Sequence, residues 1–258
     1  MADTSIPATS FGTIGFRVGR VFSTTWSLFS RNFLKFFVVT AVAALPVLWF
    51  QSGAMVEINQ SLRAGTKSPA AALGLIFGVL LFWIVLNLLS QAVIVHGAFQ
   101  DMRSRPVNLG ESLVKGLSRF VPVLLLGLCV GICFILGFML LIVPGLILVT
   151  MWAVATPACV VERLGPLRSM GRSRELTKGS RWKVFGIIIL LGVVSSIIGG
   201  VLQGIVPPMA GNIVGLVGIW IWNTLYGTFS GIIVAVMYHE LRAAKDGVDI
   251  EQMAAVFD

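Results

Sequence analysis

The length of the uncharged stretches restricts the fold of this chain more than any other feature. No charged residue falls between Phe120 and Val161, and none falls between Val184 and Tyr238. Each stretch is long enough to cross a hydrocarbon core of about 30 Å twice, at roughly 20 residues per helix. Of the 258 residues, 57% are hydrophobic and only 12% are charged, against roughly a quarter charged in soluble domains. The sequence therefore predicts an integral membrane protein.

The apolar runs predict an all-α fold with six transmembrane helices in one membrane domain, residues 1–258. The predicted spans are residues 33–50, 70–96, 120–143, 146–161, 184–206 and 212–238. Proline occurs in the turn region of each successive pair of spans, at Pro46, Pro144 and Pro207. We expect a tight turn at Pro144 and the glycine that follows it, because no polar residue accompanies them. The six spans thus form three hairpins.

Each hairpin follows an amphipathic segment, and we predict interfacial helices at residues 11–31, 108–119 and 164–179. Basic residues lie on one side of each helical period and apolar residues on the other, which is typical of a helix in the plane of the lipid headgroups. For the first segment, a soluble helix packed on a neighbour is the alternative. Asn108 stands three residues before Glu111, which predicts a capping box. The chain is interpreted as three repeats of interfacial helix, span, turn and span.

The distribution of Lys and Arg predicts the orientation. Of the 19 Lys and Arg residues, all but Arg63 and Lys67 fall in the N-terminal segment through Lys35, in the segments 97–119 and 162–183, or in the C-terminal tail. Positively charged loops face the cytoplasm, so both termini and all three interfacial helices should be cytoplasmic. The basic residues that give the net charge of +8 lie beside apolar runs. This position favours anionic lipid over nucleic acid as the partner.

Two sets of residues are candidates for function. The predicted contacts to lipid headgroups are Arg17, Arg20, Arg31, Lys115, Arg119, Arg168, Arg172, Arg174, Lys178 and Arg181. A polar intramembrane face is predicted at Asn87, Ser90, Gln91 and Asn223. The first three of these share a helix face by i, i+3, i+4 spacing, and they either line a polar cavity or form hydrogen bonds between helices.

Small residues predict close helix packing. GxxxG pairs, which let helix backbones approach closely, occur in four of the six predicted spans. They are Gly74 and Gly78, Gly127 and Gly131, Gly200 and Gly204, Gly211 and Gly215, and Gly227 and Gly231. A compact bundle and a homo-oligomer would use the same residues.

Catalysis is not predicted. Cys129, Cys133 and Cys159 lie in apolar runs without nearby acidic or histidine residues in sequence, so we interpret them as small hydrophobic residues and expect no metal or other cofactor. The histidines, His96 and His239, lie at span ends. The Walker, CxxC and GxSxG motifs are all missing from the sequence.

A resemblance to a known family rests on two runs. These are PGLILVTMWAVATPACVVERLGPLRSMGRSRELTKGSRWKVFG, which begins at Pro144, and MYHELRAAKDGVDIE, which ends at Glu251. They resemble the polytopic membrane domain that is fused to some bacterial glycerophosphoryl diester phosphodiesterases and that also occurs in stand-alone relatives. The resemblance implies a helical protein of the bacterial cytoplasmic membrane. The chain leaves no room for a phosphodiesterase barrel, so hydrolysis is not carried over.

These observations favour a non-enzymatic membrane protein that engages anionic lipid through its basic helices and organises membrane or supports a partner. The alternative is a transporter or permease subunit for a neutral or lipid-like substrate. Expected partners are membrane lipids and either a second copy of the chain or a cytoplasmic protein such as an ATPase. Simple anchoring of the spans by the basic helices is the remaining interpretation.

Overall fold

The computed structural model describes residues 16–46, 58, 60, 61, 63, 64, 68–103, 106–205 and 213–257, with residues 69, 203, 205, 213 and 248–257 described by their backbone alone. All regular secondary structure in these residues is α-helical. The helices are α1 (Val18–Ala43), α2 (Pro69–Met102), α3 (Leu109–Ser118), α4 (Phe120–Leu140), α5 (Ile142–Met151), α6 (Ala155–Val161), α7 (Pro166–Thr177), α8 (Arg181–Ile205) and α9 (Ile213–Phe257).

Five described segments are long and apolar enough to cross a membrane. They are Ala70–Met102, Phe120–Leu140, Ile142–Val161, Arg181–Leu202 and Val214–Gly247. The predicted first span, residues 33–50, is described only as far as residue 46, and the rest lies outside the described residues. Helix α9 continues through Tyr238, where the sixth span was predicted to end, because neither His239 nor Glu240 interrupts a helix.

Helix α1 bends at the predicted boundary between the interfacial segment and the first span. Asn32 has non-helical backbone angles inside the helix (φ −119°, ψ 21°). Its side chain is buried and donates a hydrogen bond from Nδ2 to Oδ1 of Asp101, 3.0 Å away. Arg31 donates to the same oxygen from Nη2, also at 3.0 Å. The end of α2 therefore fixes the position of the bend.

The predicted turn at Pro144 is wrong, since the chain reverses at Leu141. Leu141 is extended (φ −168°, ψ 153°), and α5 begins at the next residue. Pro144 is the third residue of α5, where a missing N–H costs nothing because first-turn N–H groups lack helical partners. A Cβ atom on Gly145 would lie 2.5 Å from the ring of Phe138, so glycine there lets α4 and α5 pack closely.

The predicted fourth span, residues 146–161, is also not one continuous helix. The chain leaves helical geometry at Trp152–Val154, between α5 and α6. Pro157 lies in the first turn of α6, and a proline ring clashes with the carbonyl group four residues earlier, here that of Ala153. Proline therefore divides this span into two short helices.

The core lies where α9 packs against α1 and the second half of α2. Buried residues of α9 include Ile232, Ile233, Val236 and Met237. Two of the predicted close approaches occur here. A Cβ atom on Gly227 would lie 3.0 Å from Cγ2 of Thr40, and one on Gly231 would lie 2.8 Å from Oε1 of Gln91. The hydroxyl of Thr228 donates to that of Thr40 at 2.9 Å.

Most of the other predicted glycine pairs make no such contact. A Cβ atom on Gly74, Gly78, Gly131, Gly200 or Gly204 would meet nothing within 4 Å. Gly127 does pack closely, against Leu88 of α2, and Gly211 lies outside the described residues. GxxxG spacing alone therefore does not locate the helix contacts among the described residues.

The end of the bundle away from the core presents apolar side chains outward. Leu73 and Phe77 of α2 are 66% and 64% exposed, and Met139 and Leu140 of α4 are 83% and 76% exposed. Apolar surface of this extent is not stable in water and indicates contact with lipid or protein. The structure thus supports a membrane protein.

Candidate functional site at the basic end of the bundle

Four charged segments from distant parts of the chain meet at one end of the bundle. We call this the basic end, and it comprises the described residues of 16–35, 97–119, 162–183 and 239–247. The contacts that join the segments are Lys35 Nζ to the carbonyl of Val107 (3.0 Å), Lys183 Nζ to the carbonyl of Phe16 (2.9 Å), Arg20 to Glu240 (3.6 Å) and Arg172 to Asp246 (3.1 Å). The segments that the sequence assigned to one side of the membrane therefore lie together.

Arg172 forms an ion-pair network that joins α7 to the end of α6 and to α9. Its Nε donates to Oε1 of Glu162 at 3.1 Å, and its Nη2 donates to Oδ1 of Asp246 at 3.1 Å. A third bond runs from Nη1 to the exposed Glu175 at 3.3 Å. The hydroxyl of Tyr238 donates to the same oxygen of Glu162 at 2.6 Å. Every carboxylate in this network thus has a donor.

Arg172 therefore has an internal role in addition to any contact with lipid. Its side chain is 22% exposed, and that of Glu162 is 16% exposed. Burial alone would lower the pKa of Arg172, but its hydrogen bonds to Glu162 and Asp246 and the charges of these carboxylates raise that pKa overall. Of its five N–H donors, carboxylates engage one on each of its three nitrogens, which distinguishes Arg172 from the other arginines of α7.

Helix α7 docks on the bundle through a face that combines hydroxyl groups with apolar side chains. Its buried face carries Ser169, Ser173 and Thr177 beside Met170 and Leu176. Ser173 Oγ donates to the carbonyl of Met151 at 2.9 Å, and Thr177 Oγ1 lies 3.4 Å from the same oxygen.

This carbonyl is the last of α5 and has no helical partner because the helix is interrupted after it. Ser173 of α7 thus supplies the hydrogen bond that the carbonyl of Met151 loses at the break before α6. Leu167 of the same helix is 74% exposed.

Helix α3 packs through small residues and leaves its apolar side outward. Ser112 and Gly116 are buried against α2, while Leu113, Val114 and Leu117 are 57%, 67% and 61% exposed. This is the arrangement expected of a helix that contacts the membrane surface.

The predicted cap of α3 is confirmed in part. Asn108 Oδ1 accepts from the backbone N–H of Glu111 at 3.2 Å. However, Glu111 contacts Lys115 and Gln100 instead of returning to the backbone of Asn108. The ammonium group of Lys115 lowers the pKa of Glu111.

A cleft of about 570 Å³ opens at the basic end between α2, α3 with the Arg119 that follows it, and the end of α6. Four of its lining residues are cations, namely Arg103, Lys115, Arg119 and Arg163, and one, Glu111, is an anion. His96 also lines the cleft, and its Nδ1 lies 3.1 Å from the hydroxyl of Ser112. We call this the basic cleft.

The predicted headgroup contacts fall into two groups by their partners. The first group has carboxylate partners. Arg20 pairs with Glu240, Arg31 with Asp101 and Lys115 with Glu111, while Arg172 pairs with the carboxylates of its network. Among the described side chains, Arg17, Arg119, Arg168, Arg174 and Lys178 have no carboxylate partner within 4.0 Å. The Nε atom of Arg181 is buried, and no described residue accepts a hydrogen bond from it.

The predicted intramembrane polar residues do not form one face. Gln91 packs on Gly231 of α9, and the buried Ser90 hydroxyl has no hydrogen-bond partner among the described residues. Asn87 is half-buried beside them on α2, whereas Asn223 of α9 is exposed. Three of the four residues thus lie together on α2, and the fourth points away from the helix packing.

Sequence reasoning missed Arg103, Arg163 and the acidic members of the Arg172 network. Both arginines carry a local signal, since Arg163 directly follows Glu162 at the end of an apolar run and Arg103 lies two residues after Asp101 at the end of another. Within the described part of the chain, no group of three or more His, Cys, Asp or Glu residues could hold a metal ion. Comparisons with known protein families, curated proteins and solved structures find no match.

Proposed function

We propose that this chain is a non-enzymatic, six-span protein of the bacterial cytoplasmic membrane whose basic end faces the cytoplasm and engages anionic lipid headgroups. In this proposal the spans form three hairpins, and each hairpin follows an interfacial helix. Through these contacts the protein organises membrane or supports a partner. Membership of the glycerophosphoryl diester phosphodiesterase membrane-domain family is part of the proposal and rests on the two sequence runs quoted above.

The meeting of four charged segments at one end supports this topology. The chain lies at this end at residues 16–35 and returns to it at residues 97–119, 162–183 and 239–247, so it leaves this end and comes back three times. Each excursion contains enough apolar residues for two crossings. Two crossings between residues 35 and 97 would put Arg63 at the opposite end, in the loop of the first hairpin.

The unpaired cations of α7 are the observation that carries the lipid function. Arg168, Arg174 and Lys178 are exposed and have no carboxylate partner among the described side chains. Apolar side chains flank them, since Leu167 is 74% exposed and Trp182 is 86% exposed. Positive charge beside exposed apolar and aromatic groups is the pattern of a surface in the headgroup region.

Lipid preference in bilayers tests the proposal. The purified protein is placed in phosphatidylcholine bilayers, and the motionally restricted fraction of spin-labelled phosphatidylglycerol is compared with that of spin-labelled phosphatidylcholine. Each surface cation contributes about 1 kcal/mol of attraction, which is about fivefold in relative association. We expect the wild type to prefer phosphatidylglycerol and R168E/R174E/K178E to lose most of that preference.

A charge-conserving variant is the matched control. R168K/R174K retains the same charges at the same positions, so it should keep the preference. Equal association of both lipids with the wild type, or an unchanged preference in the triple variant, would contradict the lipid function. In the second case the basic helices would serve only to anchor the spans.

A transporter or permease for a neutral or lipid-like substrate is the second candidate. The observation in its favour is the buried Ser90 hydroxyl, which has no partner among the described residues and lies next to Gln91. A substrate that bonds to this group should raise the unfolding temperature of the wild type more than that of S90A. Screening a lipid and metabolite panel for such a difference separates this function from lipid engagement.

A further inference from the structure

The basic cleft carries more positive charge than the protein neutralises. Of its four cations, only Lys115 is paired, with Glu111. Arg103, Arg119 and Arg163 have no carboxylate within 4.0 Å among the described residues. Three guanidinium groups therefore line one concave surface without a carboxylate partner of their own.

The Arg172 network differs from the cleft in the partners of its arginines. There, Arg172 pairs with Glu162, Glu175 and Asp246, and Arg242 also pairs with Asp246. In the cleft, the one lining carboxylate, Glu111, is bonded to Lys115, and the three arginines have no carboxylate partner among the described residues. A ligand could provide the negative group that these arginines lack.

The backbone at Arg163 provides an independent observation. Arg163 is the one residue other than glycine among the described residues that has a positive φ, at 55°. Arginine in this conformation costs roughly 1 kcal/mol or more, and such residues occur preferentially at functional sites. The glycine two positions later, Gly165, is not in this conformation, so the chain places arginine where glycine would be less strained.

We propose that the basic cleft is a binding site for one phosphate ester group, which Arg103, Arg119 and Arg163 hold. The planar guanidinium group matches the oxygens of phosphate and forms paired, charge-assisted hydrogen bonds with it. The hydroxyl of Ser118 and the amide of Gln100 also line the cleft.

The cleft is larger than phosphate alone requires. Its volume of about 570 Å³ is in the range of small-molecule sites. Val160, Val161, Phe99 and Pro106 form apolar walls, so the ligand carries an apolar or uncharged part next to its phosphate. Such an ester comes either from a membrane lipid headgroup or from a soluble phosphorylated compound.

Two binding measurements on the full-length protein in phosphatidylcholine nanodiscs separate these sources. In one, inorganic phosphate is titrated and its binding is followed by calorimetry. In the other, nanodiscs contain a series of phosphatidic acid fractions, and native mass spectrometry counts the retained phosphatidic acid per chain. Saturation at one phosphate per chain indicates a site open to soluble esters, and one retained phosphatidic acid indicates a headgroup site. Either result supports the proposal.

The variant R163G tests the assignment without threatening the fold. It removes one guanidinium group and puts glycine at a positive φ, so it should unfold at or above the temperature of the wild type. Loss of a charge-assisted contact should weaken binding about tenfold or more. R63G, at the predicted opposite end of the bundle, loses the same charge and is the matched control, which should bind like the wild type.

The proposal is overturned if neither probe saturates at one per chain, or if R163G and R103A/R163G bind as tightly as the wild type. The phosphatidic acid arm rests on the proposed function, because it requires this end to lie at the headgroups. The phosphate arm does not. Saturable phosphate binding without any preference for phosphatidylglycerol would therefore contradict the lipid function and keep the cleft, while the reverse result would discard only the cleft.

Discussion

Replacing Arg172 by alanine tests whether ion pairs hold the basic end together. The bonds to Glu175 and Asp246 involve carboxylates that are 65% and 42% exposed, so each contributes no more than about 0.5 kcal/mol. Glu162, at 16% exposure, would keep only the hydroxyl of Tyr238 as a donor. Removing one partner of a fully buried ion pair costs about 3–5 kcal/mol. Partial exposure reduces this, and we expect R172A to lose about 2 kcal/mol of unfolding free energy.

Thermal unfolding in nanodiscs measures this loss. A change of about 2 kcal/mol corresponds to a decrease of roughly 4–8 °C in the unfolding temperature for a chain of this length. R174A is the matched control, because Arg174 is exposed on the same helix and has no carboxylate partner, and it should change stability by less than about 0.5 kcal/mol.

A double-mutant cycle separates the ion pair from other effects of the substitution. E162Q/R172A should lose less stability than the sum of E162Q and R172A, because the double variant leaves no buried charge without a partner. Equal unfolding temperatures for R172A and R174A, or strict additivity in the cycle, would refute the reasoning.

Two further predictions concern the α4–α5 turn and α3. G145A should lose about 1–3 kcal/mol of unfolding free energy because its methyl group would lie 2.5 Å from the ring of Phe138. G131A, whose methyl group would meet nothing within 4 Å, should be close to neutral in the same thermal assay. Equal effects of the two substitutions would contradict the turn at this position. Because Lys115 lowers the pKa of Glu111, K115M should raise that pKa, which a carbon-13 NMR titration of the labelled carboxyl group measures; an unchanged titration would show that the two side chains do not interact.

Features set by neighbouring residues could be predicted from the sequence. The apolar runs gave the positions of the long helices, because burial in lipid requires continuous stretches of apolar residues. Asn108 was expected to cap α3, and its side chain accepts from the backbone of Glu111. The boundary expected after Arg31 coincides with the bend at Asn32. In each case a signal for the feature lies within a few positions in the sequence, although the contact that holds the bend comes from the distant Asp101.

Features set by distant residues could not be predicted. Arg172 and Arg174 look alike in the sequence, and only the packing of α9 brings Asp246 to one of them. The turn at Leu141 was missed because Pro144 suits both a turn and the first turn of a helix. The basic cleft combines Arg103 with Arg163, and nothing in their spacing indicates that α2 and α6 end side by side.

Cysteine accessibility in intact bacterial cells tests the central claim most directly, namely that the basic end faces the cytoplasm while the first hairpin loop faces outward. In a variant without native cysteines, R168C and R63C are exposed to a membrane-impermeant thiol reagent before and after permeabilisation of the inner membrane. The account predicts that R63C reacts in intact cells and that R168C reacts only after permeabilisation. Labelling of R168C from outside, or of both positions from the same side, would contradict it.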